Sequence, residues 1–212
     1  MKNLKNDWLI WTIILVPFLF VAYFWKQFPE QIATHFGFDG KPDDYSSKVT
    51  GLIMFPSINI LFYFLFIVLP KIDPRKKSYA LFPEKYKIIR LAIHSFLSFI
   101  LMITIFFSLG YKFNLNFMVL YGILVLFLIL GNLMGNVRNN FFVGIRTPWT
   151  LSSEEVWTKT HRFTAKLWVF STIAVMLILP FLPQPEIVFG IYIALITIVP
   201  IVYSYIIFKK SN

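Results

Sequence analysis

The residues richest in chemistry lie in one stretch, Arg138 to Trp168, which reads RNNFFVGIRTPWTLSSEEVWTKTHRFTAKLW. His161 is a candidate base and Glu154 or Glu155 a candidate acid, but such a pair works only within hydrogen-bond reach. At 100° per helical residue, His161 and Glu155 fall on opposite faces. The chain contains no H-E-x-x-H, no G-x-S-x-G and no phosphate-binding loop. Cysteine is absent, which removes thiolate catalysis, disulfides and cysteine metal sites. A zinc site from the three histidines, His35, His94 and His161, would need ligands from both sides of a membrane and is not expected. The expectation is therefore a protein that is no enzyme, with no cofactor and no metal.

The same stretch has the marks of a shaped binding or latching element. Gly144 permits a backbone conformation that other residues resist. Thr147 precedes Pro148 and is biased to an extended shape. Ser152, with Glu155 three residues on, reads as a capping box that starts a helix. On that helix Glu155, Lys159, Arg162 and Lys166 share one face. Trp157, His161, Thr164 and Trp168 share the opposite one. An amphipathic helix with a basic face is expected in the membrane interface, with Trp149 and Trp157 at headgroup depth.

What must position this element is hydrocarbon. The chain has 212 residues, of which 58% are hydrophobic and only 14% charged, against about 25% charged for a soluble domain. Six apolar segments are legible: Trp8–Trp25, Val49–Leu69, Ile88–Leu109, Phe117–Met134, Leu167–Leu182 and Ile187–Phe208. Most approach the roughly 20 residues a helix needs to cross a bilayer. Pro17, Pro56 and Pro200 lie within them and should kink them. The first is not followed by a small-residue cleavage site and is read as a retained helix.

The formal charge of +10 does not point to nucleic acid, because the basic residues sit at segment ends. Of the 20 Lys and Arg, all but Lys26, Lys41, Lys48 and Lys112 fall on one side if the segments alternate. The positive-inside rule then places both termini and the 138–168 motif in the cytoplasm. The expected architecture is an all-α membrane protein with six transmembrane helices and the amphipathic interfacial helix between helices 4 and 5. It divides into a two-helix unit, 1–70, with an outer loop at 26–48, and a four-helix unit, 71–212, carrying the motif.

The outer loop has turn signals at Asp39-Gly40 and Lys41-Pro42. Its Asp39, Asp43 and Asp44 lack calcium-loop spacing, so a solvated turn is expected. Within the spans the polar candidates are Asn59, His94, Asn132 and Asn136. Gly131 and Gly135 form a small-residue face for close helix approach. Asn132 and Asn136, beside it, are expected to make interhelical hydrogen bonds.

The run Gly144-Ile145-Arg146-Thr147-Pro148-Trp149-Thr150-Leu151, then Glu155, Val156-Trp157 and His161-Arg162, resembles the signature of the SdpI family, bacterial membrane proteins named for immunity to the sporulation-delaying protein toxin. Gly131-Asn132 and Asn139 also fit it. The loop from Phe28-Pro29-Glu30 through Ala33-Thr34-His35-Phe36-Gly37 to Ser46-Ser47-Lys48 resembles the uncharacterised N-terminal domain often found with that family. The resemblance implies a polytopic protein of the bacterial plasma membrane that confers immunity to a secreted, membrane-active peptide toxin. In the founding system it also implies that a small transcriptional repressor is held at the membrane. The expected partners are membrane lipid, a peptide toxin and a cytoplasmic repressor. The residues that would respond to them are Asn139, Gly144, Arg146, Thr147, Pro148, Trp149, Glu155, Trp157, His161 and Arg162. Two rival expectations are a small transporter or exporter of a peptide or amphiphile, using Asn59, His94 and Asn132, and a scaffold without a ligand.

Overall fold

A chain that is apolar over most of its length must bond its own backbone, and the α-helix does this within each segment. A computed structural model of the protein describes residues 7–37 and 41–211. Lys2, Lys5 and the Asp39-Gly40 turn lie outside the described residues. Among those described, six helical stretches are long and apolar enough to cross a membrane: Trp8–Gln27, Thr50–Ile72, Pro83–Ser108, Leu115–Met134, Glu154–Phe181 and Pro185–Ser211. Among the described residues there are seven α-helices: α1 (Trp8–Phe24), α2 (Ile58–Ile72), α3 (Pro83–Ser108), α4 (Leu115–Met134), α5 (Pro148–Ser152), α6 (Glu154–Ile178) and α7 (Pro185–Ser211).

By contacts the chain forms two compact units, Met1–Phe66 with Leu91–Ile123, and Ile67–Arg90 with Leu124–Asn212. In the first, the outer loop, expected as a solvated turn, has strands on either side of the turn position. It is an antiparallel hairpin, β1 (Gln31–Phe36) and β2 (Pro42–Ser47), with register shifts on either side of His35. The hairpin is anchored by apolar burial. Ile32 is fully buried and packs in a core with Val21, Phe28, Leu52, Leu101 and Ile105. Lys48 closes its base, pairing with Glu30 at 3.5 Å and lying 5.0 Å from the centre of the Trp25 ring. The alternation of the strands was hidden by short polar residues, so only the tertiary contact of Ile32 marks them as a hairpin. Near Pro56, where a kink is expected, the second span departs from regular α-helix: a π-helical segment at Thr50–Met54 and a hydrogen-bonded turn at 55–57 precede α2.

In the second unit, α6 and α7 pack along their length. The amphipathic segment expected as a separate interfacial helix is instead the first half of α6, continuous with the fifth span. No Gly or Pro interrupts that run, so nothing in the backbone ends the helix. Gly131 brings α4 against α6: a Cβ there would lie 2.8 Å from the Trp168 Cβ. Across the α6–α7 seam, Trp168 Nε1 donates to the Ile196 carbonyl at 2.9 Å. That carbonyl needs an outside donor because residue 200, four positions on, is a proline without an N–H. Thr172 and the Tyr192 hydroxyl add a 2.6 Å bond, and the Phe163 and Tyr203 rings stack at 4.1 Å.

This pairing has a testable consequence. Trp168→Phe should destabilise the protein by roughly 0.6 kcal/mol, and at most about 1.7, for the lost membrane hydrogen bond. The loss should be smaller in a Pro200→Ala background, where the restored backbone N–H can serve Ile196. Unfolding titrations of the four proteins in detergent would read this as a coupling energy; additive losses would show that the indole is not the proline's substitute.

Candidate functional site

Between α4 and α5 the chain leaves the helix, and its peptide groups must find other partners. Asn140, fully buried, supplies several. Its Oδ1 accepts from Phe142 N at 2.9 Å and Val143 N at 2.7 Å, and its Nδ2 donates to the carbonyls of Arg138 at 2.7 Å and Val143 at 3.0 Å. Only an amide carries both donors and acceptor in this geometry. Trp157 Nε1 donates to the Val137 carbonyl at 2.9 Å, and Arg146 Nη1 to the Phe141 carbonyl at 2.9 Å.

The loop after α2 completes this turn. Asp73 is 2% exposed. Its Oδ2 accepts from Phe141 N at 2.9 Å and from the Tyr79 hydroxyl at 3.0 Å, while Oδ1 accepts from Arg75 N at 2.6 Å. The Tyr79 hydroxyl also lies 3.2 Å from Asn140 Oδ1. Burial first, and then the Asp73 carboxylate beside it, hold the Tyr79 phenol far above its usual titration range. It stays protonated and serves as a donor. Arg75 donates through Nη1 to Asn139 Oδ1 and through Nη2 to the Leu151 carbonyl at 2.8 Å, with its guanidinium 4.9 Å from the Phe141 ring centre.

The second half of the turn is held from α6. Gly144 has φ +115°, and a Cβ there would collide with His161 Nε2 and approach Trp157 at 3.3 Å. The empty space lets Ile145 N donate to His161 Nε2 at 3.0 Å. His161 Nδ1 sits 2.8 Å from the Trp157 carbonyl, so the ring is the Nδ1–H tautomer with both nitrogens engaged. Its ring stacks on Trp157 at 4.0 Å. Used in this way, His161 is a structural bridge, and Glu155 instead pairs with Lys159 at 2.5 Å on the exposed side.

Thr147 caps α5, and the capping box expected at Ser152 and Glu155 is here: Thr150 N donates to Thr147 Oγ1 at 3.2 Å and Thr147 N to Thr150 Oγ1 at 2.9 Å. Pro148 takes the first helical position, where its missing N–H costs nothing. The cap of α6 is Ser153, accepting from Val156 N at 3.3 Å, because Ser152 is still helical and its hydroxyl turns back to the Trp149 carbonyl. Thr147 reaches Ser204 of α7 at 3.0 Å, and Trp149 packs on Tyr205.

The structure thus brings Asn139, Gly144, Arg146, Thr147, Pro148, Trp149, Trp157 and His161 into one knot. Arg162 lies outside it, exposed on the basic face with Lys159 and Lys166. Asn132 and Asn136 are also exposed and make no side-chain hydrogen bond among the described residues. They follow the glycines that face α6 by one residue, a rotation of 100° that turns them off the contact. Asn59 and His94 belong to the other unit: Asn59 Oδ1 lies 2.7 Å from His94 Nδ1, and its Nδ2 donates to Ser98 Oγ at 3.0 Å. Sequence reasoning missed Asp73, Arg75, Tyr79 and the role of Asn140. One signal was available: Asp73, before Pro74, is a lone acid amid Lys71, Arg75, Lys76 and Lys77.

Residues 136–204 match the SdpI/YfhL protein family, and residues 12–60 match a domain of unknown function, DUF1648. The chain is 27% identical over 210 residues to a Bacillus subtilis (strain 168) protein named Immunity protein SdpI, covering 99% of each chain. No solved structure matches it significantly.

The knot makes a prediction. Gly144→Ala should cost about 1–3 kcal/mol through backbone strain, and Asp73→Ala about 1–3 kcal/mol per stranded buried donor. Asn132→Ala should stay within about 0.5 kcal/mol. Thermal unfolding in detergent, with limited proteolysis of the 138–152 segment, would check this. Equal stability of all three would mean that the knot does not hold the turn.

Proposed function

We propose that this chain, which the SdpI/YfhL protein family model matches over residues 136–204, is an immunity protein of the bacterial membrane that protects its cell from a secreted, membrane-active peptide toxin. The observation that carries this is the end-to-end similarity to a relative named for immunity. The uneven distribution of Lys and Arg supports an orientation with the hairpin outside and the knot in the cytoplasm.

In this reading the hairpin unit meets the peptide and the knot relays its engagement. The ordered turn leaves the basic side of α6 uncovered: Lys159, Arg162 and Lys166 are all exposed. That face fits anionic headgroups or an acidic patch on a cytoplasmic repressor, which would be held at the membrane when the toxin is engaged. The knot residues Arg146, Trp149 and His161 set the position of this face and would set the response.

The test is expression of the full chain in bacteria that are killed by the sporulation-delaying protein toxin. Growth under toxin is expected where the vector control lyses; unchanged killing at verified membrane levels overturns immunity. Arg146→Ala, Trp149→Ala and His161→Ala should each abolish protection without loss of insertion. Should all three protect like the parent, the knot is structural only. Reversing Lys159, Arg162 and Lys166 to Glu should leave protection intact and abolish repressor capture, scored by membrane fractionation.

A further inference from the structure

The loop between α2 and α3 has two sides, and its inner side belongs to the knot. Asp73 and Tyr79 are buried there, Asp73 on the Phe141 amide and Tyr79 on Asp73. The Tyr79 ring also stacks on Phe82 at 5.4 Å and meets Tyr86 edge to face at 5.2 Å. Residues Lys76–Leu81 form a 3₁₀ helix. At three residues per turn, Tyr79 and Phe82 line up on the buried edge, while Lys77 with Ala80 and Ser78 with Leu81 take the other two. The outer side is thus set by the inner one. Lys71, Lys76, Lys77 and Ala80 are exposed, and so are two large apolar side chains, Ile72 at 58% and Leu81 at 69%.

Charge and position select what covers this side. Residues 71–90 hold seven Lys and Arg against two acids, Asp73 and Glu84, and the Asp73 carboxylate is taken by the knot. The outer surface is therefore cationic and calls for an anion. Residues 73–82 alone separate the spans Thr50–Ile72 and Pro83–Ser108, so the loop stays at the membrane surface. Ile72 ends one span and Leu81 lies two residues before the other; an anion without hydrocarbon would leave both uncovered. Interfacial segments that combine these features put apolar area at the acyl boundary and ammonium groups among anionic headgroups. We propose that this loop docks on anionic phospholipid, with Lys71, Lys76 and Lys77 on the phosphates and Leu81 at the acyl boundary, and that the docking steadies the knot. The coupling runs through the chain itself. Arg75, which holds Asn139 and Leu151, sits between Lys71 and Lys76, and Tyr79 sits between Lys77 and Leu81. Nothing in the proposal depends on the immunity reading.

The absence of cysteine makes a clean experiment. Ala80→Cys in the full-length chain is labelled with bimane and reconstituted in phosphatidylcholine vesicles, where brominated lipid quenches the label on contact. Brominated phosphatidylglycerol should half-quench it at a lower mole fraction than brominated phosphatidylcholine does. Each of Lys71→Gln, Lys76→Gln and Lys77→Gln should reduce that preference about fivefold, the equivalent of roughly one headgroup contact. Lys209→Gln with Lys210→Gln, exposed at the end of α7, should leave it unchanged. On the unsubstituted lysines, about 1 M salt should remove it, because the Debye length falls to about 3 Å. Proteolysis of the 138–152 segment should be slower with phosphatidylglycerol than without, and the difference should vanish in the triple lysine variant. Equal quenching by the two lipids, or a preference indifferent to both salt and the lysines, overturns the site. Quenching by neither lipid also overturns it, and points instead to an acidic protein covering the loop. Preferential quenching with unchanged proteolysis overturns the coupling to the knot.

Discussion

Peptide groups that leave a helix in apolar surroundings must be bonded, and between Val137 and Leu151 this chain bonds them with side chains. Asn140 serves Arg138, Phe142 and Val143; Asp73 serves Phe141; His161 serves Ile145; Thr150 serves Ile145 and Thr147; Arg75 serves Leu151. An unpaired buried group costs about 1–3 kcal/mol, comparable with a sizeable share of total stability. Each of these residues is therefore specified by a backbone atom it must reach. That accounts for the run of polar residues.

The same requirement shapes the helix pairs. Pro200 withdraws an N–H from α7, and the Trp168 indole answers the carbonyl left over at Ile196. The repair is also a cross-link, so a local defect becomes a determinant of how α6 and α7 register. Gly131 and Gly144 contribute space where a Cβ would collide with Trp168 or His161. Donors, acceptors and missing atoms are matched across sequence distances that no helical period spans.

The knot also explains why α6 can display charge. Trp157, Thr160, His161 and Thr164 are buried, so the inner face is committed. Glu155, Lys159, Arg162 and Lys166 remain exposed on the other. The buried inner face thus fixes which side of α6 carries the charge.

Much of this was legible in the residues. The six apolar spans, the irregular helix near Pro56 and the two faces of α6 follow from hydropathy and a 3.6-residue period, which are local properties. The importance of Gly144, Thr147-Pro148 and Trp157 was legible too, because each constrains its own backbone or packing. Other features came only with the tertiary structure. The hairpin exists because Ile32 finds a core with Val21 and Leu101. Asp73 and Tyr79 join the site because Asp73 can reach the Phe141 amide, 68 positions along the chain. Asn132 and Asn136 leave it because α6 approaches the neighbouring glycine face. Which serine caps the start of α6 likewise turned on Ser153, not Ser152, being extended. Sequence determines which groups need partners; the partners are chosen by distances that exist only once the segments have met.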